Sequence, residues 1–571
     1  RIYGSWKNNI TYVADDGDAN LHQRAAETLA SYFSDFQPQT QLNKLYIDAL
    51  PQEILASRES ALLTREALIS ALEEGTFVVD YLGHGNESQW AVENILDATL
   101  VNDLTNRFYL PLFLTATCEF GRYDDPSINT SGAEKLLLNK NGGAIALLTT
   151  TRPVYASSNE LVNEAFHKNL FKTENGSFLR LGDIMRLTKN ESVFGVNNRN
   201  FSLLGDPMLQ LQYPENKIVI DSINGLNIVD LGSDTLSALE KIRFSGSVQS
   251  IDSLFLTDFN GSVNVSVYDR ITKKETLGQE NPTFTYAVRE NKIFEGQATV
   301  YNGHFSIEFI VPKNISYRFE SGKIIMYAQN DELTSDATGF FKDFVMGNTA
   351  ENPAVDNERP TISLYINDDS FNEGDVVGEN VLFIAKIVDA SGINTSGIGI
   401  NQDITLSLED GSIYVLNDYY VADLDTYQSG SITFPLRNMS VGNHTATLKI
   451  SDIHNNTSYR PVNFIVSNEP KLLLYNVMNY PNPAIDGTTF TFEHDRIGEA
   501  LEIKLIIYDT RGNIVSKELF EVDDSPKKID DLYLPFPPGT FRKGIYLYQI
   551  EVSSTQDQAK GTAIERLLIN N

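Results

Sequence analysis

Cysteine is nearly absent: 571 residues hold only Cys118, so the chain cannot staple itself and a disulfide scaffold is excluded. That scarcity fixes no compartment, since a large secreted bacterial protein with adequate cores needs no disulfides. Positive charge is short as well. Against 76 Asp and Glu stand 45 Lys and Arg, giving a net charge of −31 and a pI near 4.6. So acidic a chain repels nucleic acid and anionic lipid, and a hold on a membrane must come through a protein partner. No apolar run approaches the roughly 20 residues that span a bilayer, and no signal-peptide pattern is present. Beginning at Arg1 rather than Met, the sequence is expected to be a fragment or a mature piece.

What is there belongs to folded domains: 41% hydrophobic and 10% aromatic residues in 63.8 kDa, too much for one core. Up to Tyr213 short apolar runs alternate with helical patterns, the mark of βαβ units. Strands are expected at Asn9–Ala14, Leu42–Ile47, Phe77–Leu82, Leu110–Thr115 and Ala144–Thr149. Helices are expected around Leu21–Phe36, from Thr64 to Glu74 with Gly75 as its stop, and after capping boxes at Ser131/Glu134 and Ser157/Glu160. A last one covers about Phe178–Lys189. After Tyr213 helices vanish, and alternating segments such as Lys241–Val248, Gly261–Tyr268, Gly303–Ile310 and Lys323–Gln329 predict β-sandwiches. The polar segment Gly347–Pro360 reads as a linker. The division expected is an α/β domain at 1–213 and β domains at 214–350, 351–469 and 470–571.

Cys118 follows the apolar run Leu110–Ala116 and precedes Glu119-Phe120-Gly121. Thirty-four positions earlier, Phe77–Leu82 ends in Gly83-His84-Gly85. In an open parallel sheet, functional residues collect beyond the carboxyl ends of the strands, so both motifs share one edge. A thiol attacks as thiolate, and a nearby imidazole removes its proton and later protonates the leaving amine. The glycines beside His84 let a peptide backbone approach and leave the Gly85 amide to join the Cys118 amide as an oxyanion hole. Each such donor is worth about 3 kcal/mol in the transition state. Singly, a Cys at a strand end is an ordinary core residue and Gly-His-Gly an ordinary turn. Their pairing at one edge gives the functional reading its specificity. The remaining histidines, His22, His167, His304, His444, His454 and His494, fall on expected helices or β surfaces without metal-ligand spacing.

Asp15 and Asp16 end the first strand. Either one orients His84 as a third member, or the pair binds Ca²⁺ through carboxylates, or they are turn and cap acids ahead of Leu21. Arg152, after the fifth expected strand, either receives a substrate carboxylate or neutralises the acidic loop. Trp90 walls a substrate pocket or packs in the core. Glu119 pairs with Arg122 or selects a cationic substrate group. The dyad chemistry itself requires no cofactor.

Gly-His-Gly, a Cys some thirty residues on after a buried strand, and Leu204-Gly205-Asp206-Pro207 resemble the gingipain family of cysteine peptidases. That resemblance implies a caspase-like α/β fold with the dyad on Cys118 and His84, and further sheet upstream of Arg1. Ala14-Asp-Asp-Gly-Asp18, Thr149–Arg152 and Asp389-Ala-Ser-Gly-Ile-Asn394 with Gly397-Ile-Gly-Ile400 narrow it to the surface sortases of the type IX secretion system in Bacteroidetes. The last hundred residues are similar to a type IX C-terminal domain, with Asn482-Pro483, Asp509-Thr-Arg-Gly512, Gly544-Ile-Tyr546 and Arg566-Leu-Leu-Ile569. The resemblance implies an enzyme that removes C-terminal secretion domains from cargo and joins the new carboxyl end to an amine of anionic lipopolysaccharide. It also implies a PorV-like outer-membrane β-barrel partner, and a place on the outer surface of the bacterial outer membrane. Two rivals stand beside it: a secreted gingipain-like endopeptidase, and an adhesin of several β domains with a vestigial active site.

Overall fold

Six strands make the sheet that carries both motifs in the computed structural model. It describes all residues except 1, 56–57, 128–129, 230–233, 316–318, 354, 398–401, 468–471, 510, 524, 538–539, 557–558 and 571. The Ile398–Ile400 part of one motif, Thr510 of another and the 469/470 boundary lie outside the described residues.

In chain order the elements of the first domain are β1 (Asn9–Ala14), α1 (Gly17–Phe36), β2 (Gln41–Tyr46), α2 (Leu62–Glu74), β3 (Val78–Leu82) and β4 (Leu112–Ala116). There follow α3 (Gly132–Leu138), β5 (Ala146–Thr150), α4 (Ala156–Leu170), α5 (Leu181–Glu191) and β6 (Phe201–Leu204). The sheet order is β6-β5-β4-β3-β1-β2, parallel except for β6, which runs against β5. Every residue of β3, β4 and β5 is buried, which is why they read as largely apolar runs rather than alternating ones. From β1 the chain steps outward to β2 and then returns to the other side of β1 as β3. The strand order therefore reverses between β1 and β3, the kind of switch point beyond whose carboxyl ends open parallel sheets place their sites.

The two faces are covered separately. Ala14, Leu82, Leu114 and Ala116 pack with Ala26, Leu29 and Phe33 of α1 and with Val162 and Phe166 of α4. Val79, Tyr81 and Phe113 pack on the opposite face with Leu68 and Leu72 of α2 and with Ala133 and Leu136 of α3. On the first face Tyr12, His167 and Asp80 form a buried polar trio. The Tyr12 hydroxyl donates to His167 Nε2 at 3.0 Å, while Nδ1 donates to the Asn163 carbonyl at 2.8 Å. That makes His167 the neutral tautomer, and burial pulls its pKa down to about 4.

Local signals worked where the backbone had no competing partner. The Ser131/Glu134 capping box forms, and Gly75 ends α2 at φ +100°. Two caps differ. Thr64 lies inside the first turn of α2, because the helix starts at Leu62. α4 starts at Ala156 with Tyr155 as its cap, so no box forms at Ser157: the Tyr155 N–H is taken by Asn197 Oδ1 at 2.8 Å, and the helix begins two residues earlier than expected.

After Tyr213 the architecture is all β. One sheet orders Lys292–Val300, Gly261–Tyr268, Lys323–Asn330, Asp336–Phe341, Asn216–Ile223, Lys241–Gln249 and His304–Ile310. The next domain pairs a four-stranded with a five-stranded sheet, and the last a three-stranded with a four-stranded one. A single buried cluster runs from Ile218 to Val466, so the second and third domains share a core. The strand Phe344–Thr349 takes up the start of the expected linker.

The first domain is docked on the second. Lys7 Nζ meets Asp336 Oδ2 at 2.5 Å, both side chains buried, and the Tyr327 hydroxyl donates to the same oxygen. A hairpin of the second domain, Thr272–Glu275 with Thr285–Val288, ends in a loop laid against the β1 side of the sheet edge. Asp48 accepts the Gly278 and Gln279 N–H groups there at 2.7 and 3.1 Å. No helix among the described residues is long and apolar enough to cross a membrane.

Candidate active site

β3 and β4 pair in parallel with Leu82 opposite Ala116. His84 and Cys118 each follow two residues later, so the two lie at matching positions beyond neighbouring strands. Side chains two apart share a face. Leu82 and Ala116 point toward α1 and α4, and Cys118 packs against that same cluster. The His84 ring lies there too, 5.1 Å from the His22 ring of α1. Imidazole and sulfur thus occupy one edge and one face of the sheet. The Cys118 thiol is half-buried and its Sγ sits 3.5 Å from the Val154 carbonyl.

The backbone around the two residues is constrained. Asp15 accepts the His84 N–H on Oδ2 at 2.8 Å and the Gly17 N–H on Oδ1 at 2.7 Å, tying the end of β1 to the histidine loop. The Tyr81 hydroxyl donates to the His84 carbonyl at 2.5 Å. A side chain at Gly85 would meet Thr117 Oγ1 at 2.6 Å and the Gln89 carbonyl at 2.8 Å, so the two strand-end loops approach as closely as only glycine permits. Among the described residues neither the Gly85 nor the Cys118 N–H is spent on a hydrogen bond. Glu119, directly after the thiol, holds φ +58°, a strained conformation of the kind that clusters at active sites.

The carboxylate on the imidazole is Asp18, which neither strand-end reading named. Its Oδ2 accepts from His84 Nε2 at 3.1 Å, which leaves Nδ1 for proton transfer. Asp15 and Asp16 do not reach the ring. Asp15 has both oxygens engaged by backbone amides, and Asp16 turns to Gln52, whose Nε2 donates to its Oδ2 at 2.7 Å. Asp18 reaches His84 because Asp18, Ala19 and Asn20 take positive φ of 54°, 55° and 63° at the start of α1. Sequence offers no sign of three non-glycine residues in that conformation. His22, set aside as a helix residue, stands 3.8 Å from Asp18 Oδ2, and burial holds its pKa below the usual imidazole range.

The substrate candidates resolve as follows. Trp90 is 0% exposed and stacked on Tyr81 at 4.3 Å, with Phe113 and Phe120 beside it, on the α2 and α3 face. It is a core residue and walls no pocket. Glu119 pairs with Arg122 at 2.8 Å, and Arg122 also reaches Glu87 and Asp125 at 3.4 and 3.3 Å. Arg152 is held by Asp124 through two bonds of 2.9 and 2.6 Å, so it neutralises the acidic loop.

On the β1 side no Lys or Arg pairs with the acids Asp15, Asp16, Glu93 and Glu280 among the described residues. Oxygens of Asp16, Glu93 and Glu280 lie within 4.8 Å of one another. Burial raises the pKa of all three, that of Glu93 to about 8.

Residues 1–212 match peptidase family C25, and residues 478–564 match the secretion system C-terminal sorting domain. Among solved structures the chain is similar to dimeric latent PorU from Porphyromonas gingivalis. Identity is 28%, over 75% of this chain and 41% of that one, with a TM-score of 0.32. It is also similar to the Arg-specific cysteine proteinase gingipain R (RGPB), at 15% identity over 60% of this chain and 68% of that one, with a TM-score of 0.32. The chain therefore spans about two fifths of the length of the PorU structure. No curated protein matches it.

Proposed function

Since the chain carries a peptidase family C25 domain, that of the gingipain cysteine peptidases, and a type IX secretion C-terminal sorting domain, we propose that it is a PorU-like surface sortase. The single observation that carries the catalytic assignment is the register of β3 against β4, with His84 and Cys118 at matching positions on one face.

In the proposed reaction the Cys118 thiolate attacks the carbonyl carbon that joins cargo to its C-terminal secretion domain. The amides of Gly85 and Cys118 donate to the oxyanion, at about 3 kcal/mol each. His84, oriented by Asp18 through Nε2, carries the thiol proton on Nδ1 and gives it to the departing amine. The C–N bond breaks and a thioester remains. An amine of anionic lipopolysaccharide then attacks the thioester, His84 accepts its proton, and the thiolate leaves as the new amide forms. Water in place of that amine gives plain hydrolysis, so the outcome turns on which nucleophile the site positions. In this reading the chain keeps its own C-terminal domain as the attachment piece and is held at the outer-membrane surface by a PorV-like β-barrel partner.

The test is mass spectrometry of a cargo's new C-terminus after incubation with enzyme and a soluble amine. An amide at that end supports transpeptidation; a free acid alone makes the protein an endopeptidase. The Cys118→Ala chain should leave the cargo domain attached, and normal processing by that variant would refute the dyad.

A further inference from the structure

Behind the dyad, on the other face of the sheet, three aromatic side chains connect the loops that carry it. Tyr81 precedes Leu82, so its side chain leaves β3 on the face away from His84, into the cluster of α2 and α3. There its ring stacks on Trp90 at 4.3 Å, and Trp90 in turn lies 5.8 Å from Phe120, centroid to centroid. Trp90 belongs to the histidine loop, and Phe120 stands two residues beyond the thiol in the loop after β4. We propose that Tyr81, Trp90 and Phe120 are positioning residues, an aromatic clamp behind the sheet that sets the place of the His84 imidazole relative to the Cys118 thiol. The clamp rests on the dyad assigned above: with no imidazole to place it has no task.

Each ring is tied to the backbone it holds. The Tyr81 hydroxyl donates to the His84 carbonyl at 2.5 Å, and that carbonyl also accepts the Ala91 N–H at 2.9 Å, one residue past Trp90. With the His84 N–H on Asp15, both main-chain groups of the histidine are held. A bridge between Gly85 and Trp90 closes the same loop, so a shift of the Trp90 ring moves the histidine. On the thiol side Phe120 is seated on Gly132, where a Cβ would come within 2.2 Å of its ring. The Phe120 carbonyl accepts the Ala133 N–H at 3.2 Å, and the Gly121 N–H donates to the Thr150 carbonyl at 2.8 Å. All three rings are fully buried.

Buried aromatic rings in contact are ordinary core packing; the hydroxyl sets these apart. A core tyrosine needs a hydrogen-bond partner, and for Tyr81 that partner is the backbone of the proposed base. Tyr213 is the contrast. Buried in the same domain, it donates to the Leu170 carbonyl, also at 2.5 Å, and packs against Phe77 at the opposite end of β3. Losing either hydroxyl removes one buried bond of the same kind, but only Tyr81 stands behind the reacting groups. A misplacement of about 1 Å there costs on the order of 100-fold in rate. The titratable groups facing His84 are Asp18 and His22 of α1 and Asp15 after β1, and a change at Tyr81 alters none of them.

Tyr81→Phe keeps the ring and its stack and removes only the hydroxyl. In the cargo assay kcat should fall about 10- to 100-fold with KM within about twofold. Tyr213→Phe should keep the parent rates at a similar loss of melting midpoint. A second readout needs no cargo: the chain has one thiol, so alkylation by iodoacetamide at pH 7 reads Cys118 alone. His84→Ala should slow that alkylation about tenfold or more, and Tyr81→Phe should slow it less. Added to His84→Ala, Tyr81→Phe should slow it no further, because Tyr81 acts through the histidine. Should Tyr81→Phe not fold, Phe120→Leu carries both readouts from the thiol side. Parent rates of turnover and alkylation in the variant read, or equal slowing by Tyr81→Phe with and without His84, overturn the clamp and leave the dyad standing. Alkylation indifferent to His84→Ala would instead overturn the dyad, and the clamp with it.

Discussion

The two halves of the catalytic edge handle charge in opposite ways. Beside Cys118, acids are matched by arginines: Arg122 gathers Glu87, Glu119 and Asp125, and Arg152 holds Asp124. Beside His84, carboxylates at the end of β1, in α1 and on the histidine loop meet backbone amides, imidazoles and one another, with no Lys or Arg paired to them among the described residues. The difference teaches what each half can do. The thiol side is a closed electrostatic frame that fixes a loop. The histidine side leaves its acids to amides, imidazoles and one another, and burial raises the pKa of Asp16, Glu93 and Glu280 there.

The largest break in that comparison comes from the dyad itself. Cys118→Ala and His84→Ala should each cut kcat on the order of a millionfold, and the double variant should cost no more than either, as expected of groups that act as a unit. Asp18→Asn asks whether the negative charge on the histidine side works through the ring. It should lower kcat about 10- to 100-fold with KM little changed, and steepen the loss at acidic pH in a full pH–rate profile. Equal loss in kcat and KM without a change of profile would make Asp18 merely structural. On the thiol side, Arg122→Gln releases three acids, Glu119 beside the thiol among them, and should lower kcat/KM about tenfold through loop misplacement. Arg152→Gln is its control: an exposed pair whose loss should leave both rate and melting midpoint unchanged.

The fourth test concerns stability beneath the same strand. His167 takes a proton near 6.5 when unfolded but only near 4 when folded. The unfolded chain therefore binds more protons in that window, and stability falls as pH drops from about 7 to 4, by up to about 3 kcal/mol. In thermal melts across that range, a His167→Gln chain should start lower and slope less. Parallel slopes would remove His167 as the cause.

Much of this was legible in the residues. Largely apolar runs ending in Gly-His-Gly and in Thr-Cys-Glu marked two central parallel strands and their carboxyl ends, because a strand covered on both faces does not alternate polar with apolar positions. The Ser131/Glu134 box formed because its partners lie three residues apart. Ser157 failed because Asn197, forty residues away in the sequence, captured the Tyr155 amide. Trp90 illustrates the same limit: its nearness to His84 in sequence left a pocket wall and a core place equally open, and only its packing on Tyr81, Phe113 and Phe120 decided for the core. Of the alternatives open for Asp15 and Asp16, orienting the ring falls to Asp18, turned onto it by left-handed backbone, while Asp15 serves as a turn acid for the Gly17 N–H.

By itself, then, the chain's order of residues determined the elements, the strand ends and the cysteine and histidine proposed as nucleophile and base, all properties of local pattern and chemical type. Tertiary structure alone decided which carboxylate meets that imidazole, which acids find arginines, and that Glu280 joins Asp16 across 264 positions of chain. Those are matters of strand order, handedness of a turn and domain docking, where distance in space is unrelated to distance along the chain.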